Sequence, residues 1–409
     1  MASFSAESAK AAYAKTPRRP SVSDDEFDLA KRERTSLFPW RGQFSPDLIR
    51  LFLELHPGNG AVLDPFMGSG TVLFEANRAG RASAGTEINP GAYLFAVLAE
   101  FVQLPLDERQ LSIQSLQRRL SSIGTQGEFS PSQIEGLASS KNDVRLLEAS
   151  FLLACGNKPS TSNQLFVKAF QSVASKVAGA EFTRSNVDAF AEDARYLPFD
   201  DHSFELAITS PPYINVFNYH QQFRPPVEEL GYRPLQVATS EIGANRKHRQ
   251  NRLLTVVQYC LDMSMALDEL ARVTSPGGHA ILVVGRESRV RKVGFDNGAL
   301  MGSLLHARTD LRLSSRAERK FTNRFGEVIF EDVLFAERSN SVAARADLSE
   351  ARSVGVHALD NARFGRDLEV DVMEDFETAI AGAGKVLPSP RVSVEGAGLV
   401  SVNPTRRRA

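Results

Sequence analysis

A glycine-rich turn between a short apolar run and a helical pattern constrains the fold of this 409-residue chain more than any other feature. The apolar run AVLDPF is followed by Met-Gly-Ser-Gly-Thr at residues 67–71, and the helix-like VLFEANRAG comes next. SAGTEI (83–88) then predicts a second strand, and NPGAYLFAVLAEF predicts a second helix. Strand, glycine turn, helix, strand and helix is the rhythm of a parallel sheet covered by helices. We therefore predict an α/β fold built on a mostly parallel, twisted sheet.

Later segments extend this sheet and interrupt it once. SNVDAF, FELAITS (204–210) and HAILVVG (279–285) predict further strands. EVIFEDVLFAE (327–337) predicts a late strand in an antiparallel pair with LRLSSRAERKF. Between Pro105 and Phe182 the chain is rich in Ser and Gln and mainly helical in pattern. We expect that stretch to be a helical insertion between two strands.

Composition excludes several classes of protein. The chain has 48 basic and 49 acidic side chains, which excludes a basic coat over the whole surface but allows local basic patches. Its two cysteines, Cys155 and Cys260, are too few and too far apart for a disulfide framework or a cysteine-rich zinc site. The histidines show no metal-ligand spacing, and no apolar run approaches the ~18 residues of a membrane-spanning helix. We therefore expect a soluble intracellular protein without a bound metal.

The glycine turn lies where open α/β sheets bind nucleotide-like ligands, at the carboxyl end of the first strand. Gly68 and Gly70 let the backbone approach a ligand closely, and the N–H groups that open the next helix favour an anionic group. A phosphate loop would need Lys after the second glycine, and a dinucleotide turn would need Gly in place of Phe74. Glu87 ends the second strand, where a carboxylate takes ribose hydroxyls, and Asp193 follows the third, where it could accept from an adenine amino group. A plain turn between strand and helix is the alternative for the glycine pair taken alone.

A second corner follows the fourth strand, in FELAITSPPYINVFNY. Two consecutive prolines end that strand rigidly and remove two backbone N–H donors, which leaves carbonyl groups facing the cleft. The Ser210 hydroxyl and the Pro211 carbonyl can accept from the hydrogens of an amino group, while Tyr213 stacks on the ring that carries it. A rigid turn with a surface tyrosine is the alternative for this motif alone.

Taken together and in this order, DPFMGSGT, Glu87, Asp193 and SPPY resemble the motifs of amino-methyltransferases that use S-adenosylmethionine. More narrowly, they resemble site-specific DNA methyltransferases that act on exocyclic amines, in which Ser before Pro-Pro-Tyr is typical of cytosine-N4 enzymes and Asp or Asn of adenine-N6 enzymes. RGQFSPDLI (41–49) is similar to the segment that covers the cofactor in that family, and RVTSPGGHAILVVG and NRFGEVIFEDVLF also match it. The resemblance extends from Phe38 to Ala336 apart from the insertion, and it implies a Rossmann-like class I methyltransferase fold.

The resemblance also implies a reaction and the residues that carry it. A methyl group would pass from S-adenosylmethionine to the N4 amine of cytosine in DNA, by base flipping and direct in-line transfer. A C5-cytosine enzyme would need a nucleophilic cysteine, whereas Cys155 and Cys260 lie in helical apolar patterns and are expected to be buried packing residues. The implied catalytic residues are Ser210, Pro211, Pro212 and Tyr213. The implied cofactor-binding residues are Phe44, Asp64, Pro65, Phe66, Gly68, Ser69, Gly70, Thr71, Glu87, Asn89, Asp193 and Ala194.

Three basic clusters follow the late strands of the predicted sheet. NRKHRQNR (245–252) follows the proline corner, and a second cluster contains Arg286 and Arg289. The third cluster consists of Arg316, Arg319, Lys320 and Arg324. All three are expected near the carboxyl edge of the sheet, where they could pair with phosphates, although a solvated charged face is the alternative for any one of them. The predicted nucleic-acid-binding residues are Arg246, Lys247, Arg249, Arg252, Arg286 and Arg289.

These expectations give a domain plan and a set of rival functions. The plan is an N-terminal flexible arm or surface helix (1–35), a methyltransferase domain (36–104 and 183–338), a helical insertion for target recognition, closure or dimerisation (105–182), and a partly disordered C-terminal appendage (339–409). We expect a cytoplasmic, nucleoid-associated prokaryotic enzyme with double-stranded DNA as its partner, ahead of RNA, and a cognate restriction enzyme as a further partner. The rivals are an adenine-N6 or RNA enzyme, a non-catalytic nucleic-acid-binding module that keeps the fold, and a nicotinamide dehydrogenase, which the missing third glycine disfavours.

Overall fold

The computed structural model describes residues 5–19, 27–28, 35–181, 183–214, 218–243, 248–322, 326–341, 347–364 and 368–392. In chain order the helices are α1 (Ala6–Lys15), α2 (Pro46–Leu55), α3 (Thr71–Arg78), α4 (Pro90–Ala96), α5 (Leu106–Leu120), α6 (Ser132–Leu137), α7 (Lys141–Cys155), α8 (Asn163–Gly179), α9 (Arg224–Glu229), α10 (Pro234–Val237), α11 (Leu254–Val273), α12 (Asn297–His306), α13 (Leu348–Arg363) and α14 (Val370–Gly382). The strands are β1 (Val62–Asp64), β2 (Ser83–Thr86), β3 (Glu128–Phe129), β4 (Thr161–Ser162), β5 (Val187–Phe190), β6 (Phe204–Thr209), β7 (Thr274–Gly285), β8 (Glu287–Val290), β9 (Val293–Asp296), β10 (Leu311–Thr322) and β11 (Val328–Arg338).

The chain forms two compact units, which we name after their strand-end motifs. The glycine-turn unit comprises Arg34–Glu192, Tyr219–Ala238 and Val392–Ala409. The proline-corner unit comprises Met1–Glu33, Asp193–Asn218 and Thr239–Arg391.

In the glycine-turn unit, β1, β2 and β5 are parallel neighbours in that order, with Val62 opposite Ser83 and Ser83 opposite Val187. The residues of β1 and β2 are buried throughout, as expected of parallel strands that are covered on both faces. Helix α3 follows β1 and α4 follows β2, which confirms the predicted alternation. The expected single helix after β2 divides, because a 3₁₀ helix (Val97–Gln103) continues α4 with a tighter backbone.

The insertion is helical, as predicted, and it shares the apolar core of the glycine-turn unit. It consists of α5 to α8 and the short antiparallel pair of β3 with β4. The rings of Phe129 and Phe166 stack with their centroids 3.5 Å apart. They belong to the same buried cluster as Phe38, Trp40 and Phe95 of the segments that flank the glycine turn. Burial of this apolar area, at roughly 25 cal/mol per Å², holds the insertion against the parallel strands.

In the proline-corner unit, β6 pairs in parallel with β7, and β7, β11 and β10 continue the sheet with antiparallel pairs. The predicted late antiparallel pair is therefore confirmed. Helix α11 precedes β7 and has buried residues along most of its 20-residue length. The two units together have the mixed, mostly parallel strand pairing with flanking helices of a Rossmann-like fold, so the predicted fold class is confirmed.

The two ends of the chain contribute helices to the proline-corner unit. Of the two expectations for residues 1–35, an arm or a surface helix, the described part contains the helix α1. Tyr13 of α1 packs so closely on α12 that a Cβ at Gly302 would lie 2.1 Å from its ring. In the C-terminal region, Gly355 of α13 packs against the backbone of Val257 in α11. Residues 393–409 lie outside the described residues, and the predicted domain plan stays a prediction.

Candidate active site

The glycine turn adopts a backbone that requires its two glycines. Gly68 has φ +52° and Gly70 has φ +86°, both in the left-handed region that favours glycine. A Cβ would lie 3.2 Å from the Trp40 ring at Gly68 and 3.1 Å from the Ala96 Cα at Gly70. The Gly70 N–H donates to the Met67 carbonyl at 2.8 Å, and α3 begins at the next residue. The turn therefore exposes backbone where side chains would otherwise stand.

Glu87 fastens the end of β2 to this turn. Its Oε2 accepts from the Gly68 N–H at 3.0 Å, and its Oε1 accepts from the Asn89 N–H at 2.8 Å. At the end of β1, Asp64 Oδ1 accepts from the Phe66 N–H at 3.1 Å. Each carboxylate oxygen can accept more than one hydrogen bond, so Glu87 keeps capacity for a ligand's hydroxyl groups.

Asn89 contributes a buried donor beside Glu87. It caps α4, where its Oδ1 accepts from the Gly91 N–H at 2.9 Å. Its Nδ2 is buried, and among the described residues no hydrogen-bond partner meets it. An unsatisfied buried donor costs about 1–3 kcal/mol. A ligand acceptor at this atom would remove that cost, so the residues around the turn fit a polar cofactor.

The segment ahead of α2 is hydrogen-bonded to the glycine turn. The Ser69 hydroxyl donates to Gln43 Oε1 at 2.8 Å, and the Thr71 hydroxyl lies 3.5 Å from the Ser36 hydroxyl. Ser36 in turn donates to the Phe44 carbonyl at 2.9 Å, and the Phe44 side chain is buried. These hydrogen bonds hold the segment against the turn, and its cofactor-covering role stays a prediction.

Asp193 lies in a buried ionic network of the proline-corner unit. Arg195 donates to both its oxygens, from Nε at 3.0 Å and from Nη2 at 2.6 Å, and the Ser240 hydroxyl donates to Oδ2 at 2.9 Å. Arg195 also donates to Asp262 at 2.7 Å and to the Ser389 carbonyl at 2.8 Å. Burial disfavours the charged guanidinium, but the hydrogen bonds and charges of Asp193 and Asp262 outweigh it and raise the pKa of Arg195. A ligand amino group bonded to Asp193 would share this carboxylate with the network. The network could not be predicted from the sequence because Ser240, Asp262 and Ser389 are distant from Asp193 along the chain.

The proline corner directly follows β6. The Ser210 hydroxyl lies 3.3 Å from the Tyr213 hydroxyl, and Tyr213 donates to Glu331 Oε1 of β11 at 3.4 Å. Pro211 is buried and Ser210 and Tyr213 are half-buried. A Cβ at Gly285, the last residue of β7, would lie 2.8 Å from the Tyr213 ring. The corner thus presents a hydroxyl and an aromatic ring at the ends of two parallel strands.

The predicted site residues divide between the two units. The glycine-turn unit contains Phe44, Asp64, Pro65, Phe66, Gly68, Ser69, Gly70, Thr71, Glu87 and Asn89. The proline-corner unit contains Asp193, Ala194, Ser210, Pro211, Pro212 and Tyr213. The cofactor-binding and catalytic roles of these residues stay predictions.

The predicted nucleic-acid-binding residues differ in exposure. Arg249 and Arg252 are exposed, and the Arg289 side chain is 74% exposed beside Glu287. Arg246 and Lys247 lie outside the described residues. The exposed arginines can reach a phosphate without breaking a buried contact.

Two other arginines of the basic clusters have partners within the protein. Arg286 lies 3.1 Å from Glu318 and 3.4 Å from Asp332, with its guanidinium 5.0 Å from the Phe330 ring centroid. The Arg319 side chain is only 5% exposed and pairs with Glu331 at 3.1 Å. Arg319 is therefore a structural residue, which corrects its assignment to a phosphate-binding cluster. Arg324 lies outside the described residues.

The two cysteines and the potential metal ligands of the described residues were the other candidates for reactive chemistry. Both cysteines are buried, and burial raises the pKa of Cys155 to about 12 and also raises the pKa of Cys260. Such thiols are poor nucleophiles. The described ranges contain no group of three His, Cys, Asp or Glu side chains able to hold a metal ion. None of their helices is long and apolar enough to span a bilayer.

A comparison with protein families matches the part of the chain that contains the glycine turn. Residues 22–97 match the sequence model of a family described as DNA methylase. Over 79 residues it is 40% identical to the Type II methyltransferase M.MjaII of Methanocaldococcus jannaschii, an alignment that covers 18% of this chain and 15% of that relative. The predicted resemblance to amino-methyltransferases is confirmed, and the chain matches only a small part of the relative's length.

Solved structures with a similar arrangement include two methyltransferases. A SAM-dependent methyltransferase from Methanosarcina mazei aligns with TM-score 0.34 and 15% identity, over 71% of this chain and 98% of that one. The rRNA methyltransferase aviRa from Streptomyces viridochromogenes aligns with TM-score 0.31 and 12% identity, over 82% of this chain and 99% of that one.

Proposed function

We propose that this protein is a DNA methyltransferase that transfers a methyl group from S-adenosylmethionine to the exocyclic N4 amine of cytosine. The observation that carries the proposal is the proline corner, where the Ser210 hydroxyl stands at the end of β6 in hydrogen-bond contact with Tyr213. The match of residues 22–97 to DNA methylases supports the reaction class. Ser rather than Asp or Asn before the two prolines favours cytosine over adenine.

The glycine-turn unit supplies groups suited to the cofactor. S-adenosylmethionine, when bound, supplies an electrophilic methyl group on a sulfonium. Gly68 and Gly70 let it approach the backbone, and Glu87 can accept from its ribose hydroxyls. The buried Nδ2 of Asn89 would donate to one of its oxygen or nitrogen atoms. We assign recognition of the adenine amino group to Asp193, together with the adjacent Ala194.

The proline corner supplies groups suited to the target amine. An exocyclic cytosine amine is a poor nucleophile because its lone pair is delocalised into the ring. The Ser210 hydroxyl and the Pro211 carbonyl accept from the two amino hydrogens, which draws the nitrogen toward tetrahedral geometry and frees the lone pair. Tyr213 stacks on the base once it has left the duplex. Rate acceleration then comes from positioning and electrostatics, without a covalent enzyme intermediate.

Partners follow from the same reaction. Exposed Arg249, Arg252 and Arg289 are suited to phosphates of double-stranded DNA. We assign DNA as the substrate ahead of RNA, a cognate restriction enzyme as a further partner, and the nucleoid region of a prokaryotic cytoplasm as the location.

The test is analysis of the methylated product. The full chain is incubated with methyl-labelled S-adenosylmethionine and unmethylated DNA or RNA, and the nucleic acid is digested to nucleosides. Label in N4-methyldeoxycytidine is the expected result, and Ser210→Ala should lower the rate of its formation about 100-fold. Label in N6-methyldeoxyadenosine or in an RNA nucleoside would transfer the assignment to those targets. Tight DNA binding with no label in any nucleoside would favour the non-catalytic module.

A further inference from the structure

Sheet register brings three residues into one row beside the proline corner. Arg319 of β10 is opposite Glu331 of β11, and Glu331 is opposite Gly285 of β7. Because Gly285 has no side chain, the Tyr213 ring fits against it, where a Cβ would lie 2.8 Å from Cε2. Glu331, the residue opposite Gly285, then places its carboxylate at the Tyr213 hydroxyl. The contact depends on strand register across three strands.

The hydrogen bonds in this row have a defined direction. Glu331 Oε2 lies 3.1 Å from Nη1 of Arg319, and this buried guanidinium favours an ionised carboxylate. An ionised carboxylate only accepts hydrogen bonds, so the Tyr213 O–H donates to Oε1. With its one proton committed, the Tyr213 oxygen accepts from the Ser210 O–H, 3.3 Å away. The lone pairs of Ser210 are then left for a further partner.

We propose that Glu331 is a positioning residue that fixes the Ser210 hydroxyl as a hydrogen-bond acceptor, acting through Tyr213. The inference rests on the proposed function, because an amino group offers only hydrogens and requires an acceptor at Ser210. Without the carboxylate, Tyr213 can donate to Ser210 instead, and the serine proton can turn toward the amine. Arg319 supports the arrangement by holding the charge on Glu331 in a mostly buried setting.

The first test measures whether Tyr213 and Glu331 act on turnover through the same hydrogen-bond chain. Tyr213→Phe keeps the ring and the Glu331–Arg319 ion pair, whereas Glu331→Gln keeps the size of the side chain and removes its charge. Each single variant should lower the single-turnover rate about tenfold, the effect of one hydrogen bond, and leave the cofactor Kd unchanged. The single-turnover rate of the double variant should also be about tenfold below that of the wild type, because the second substitution acts on a hydrogen-bond chain that the first has already interrupted. A loss of about 100-fold in the double variant overturns the proposal.

The second test needs neither cofactor nor activity. In protein with ¹³Cζ-labelled tyrosine, the Tyr213 signal is identified by its absence in Tyr213→Phe. Glu331→Gln should shift that signal, and Glu337→Gln, the same change on the same face of β11, should not. An unmoved signal in folded Glu331→Gln, with folding checked by thermal unfolding, overturns the proposal. If Glu331→Gln shifts the signal but the wild-type protein methylates no nucleoside, the hydrogen-bond chain is supported and the proposed function is rejected.

Discussion

The glycine turn and the proline corner both follow the carboxyl end of a strand, but they are assembled over different distances along the chain. Glu87 binds the turn from 19 residues after Gly68. Glu331 binds the corner from 118 residues after Tyr213, and it arrives there by the pairing of β7 with β11. The turn therefore depends on local backbone conformation, whereas the corner depends on the register of an entire sheet. Substitutions should affect the two regions in different ways.

The largest expected effects separate turnover from cofactor binding. Ser210→Ala should lower turnover about 100-fold and leave the cofactor Kd within about twofold, because the hydroxyl is assigned to Tyr213 and the target amine and not to the cofactor. Glu87→Ala should do the reverse, since it removes the acceptor for the backbone N–H groups of Gly68 in the turn and of Asn89 after β2, as well as a proposed ligand contact. Steady-state kinetics and calorimetric titration measure the two quantities. Ser203→Ala, ahead of the same strand β6, is the matched control. Equal losses of both kinds in either variant would contradict the assigned roles.

A pair of glycines separates backbone strain from steric contact. Gly70→Ala should lower the free energy of unfolding by about 2–3 kcal/mol, because it adds a contact with Ala96 to an unfavourable φ. Gly80 has a similar φ of +76° but open space around it, so Gly80→Ala should cost only about 1 kcal/mol. Urea unfolding of both variants gives the difference. Equal costs would show that the contact with Ala96 is unimportant.

Gly85 in β2 and Gly285 in β7 also distinguish the glycine turn from the proline corner. A Cβ would lie 2.7 Å from the Met67 sulfur at Gly85 and 2.8 Å from the Tyr213 ring at Gly285. Gly85→Ala should therefore weaken cofactor binding about tenfold, and Gly285→Ala should lower turnover about tenfold with little change in cofactor Kd. The same titration and kinetics apply. An unchanged turnover in Gly285→Ala would mean that the position of Tyr213 is not set by β7.

The smallest expected effect is a pH dependence of stability in the glycine-turn unit. Burial raises the pKa of Glu148 from 4.5 to about 7, against the opposing effects of the Tyr232 hydrogen bond and the Arg145 charge. Between these pH values the folded protein holds a proton that the unfolded chain has released, so stability falls as pH rises. Glu148→Gln should reduce that fall by about 1 kcal/mol. Urea unfolding at pH 5 to 8 measures it as a difference from wild type, because Asp332, whose pKa burial raises to about 6, also contributes to the wild-type slope. Parallel curves for the two proteins would contradict the role of Glu148.

Elements whose structure depends on nearby residues could be predicted from the sequence. The helical pattern VLFEANRAG after the glycine turn and the alternation of the late strand EVIFEDVLFAE each act over a few residues, and both elements lie within a few residues of the predicted segments. The glycine turn was also recognisable, because the left-handed backbone at Gly68 and Gly70 leaves a direct mark on residue type.

The partners of the site carboxylates and of Tyr213 could not be predicted in the same way. Alternation in β11 predicts a strand, but only pairing with β7 selects Glu331 as the residue beside Tyr213. Arg195 is two residues from Asp193, yet its other partners come from positions 240, 262 and 389. No local pattern encodes such a meeting, because it arises from the packing of whole elements.

The hydrogen bond from Arg195 to the Ser389 carbonyl limits how far the chain can be truncated from its C-terminal side. A fragment that ended with the last strand would contain every recognisable motif. Such a fragment would nevertheless lack the Ser389 carbonyl, which accepts a hydrogen bond from the buried guanidinium of Arg195. It would also lack the Ser389 N–H that donates to Asp262. The C-terminal boundary of the proline-corner unit therefore has to include the last acceptor of Arg195, some 50 residues beyond the final motif.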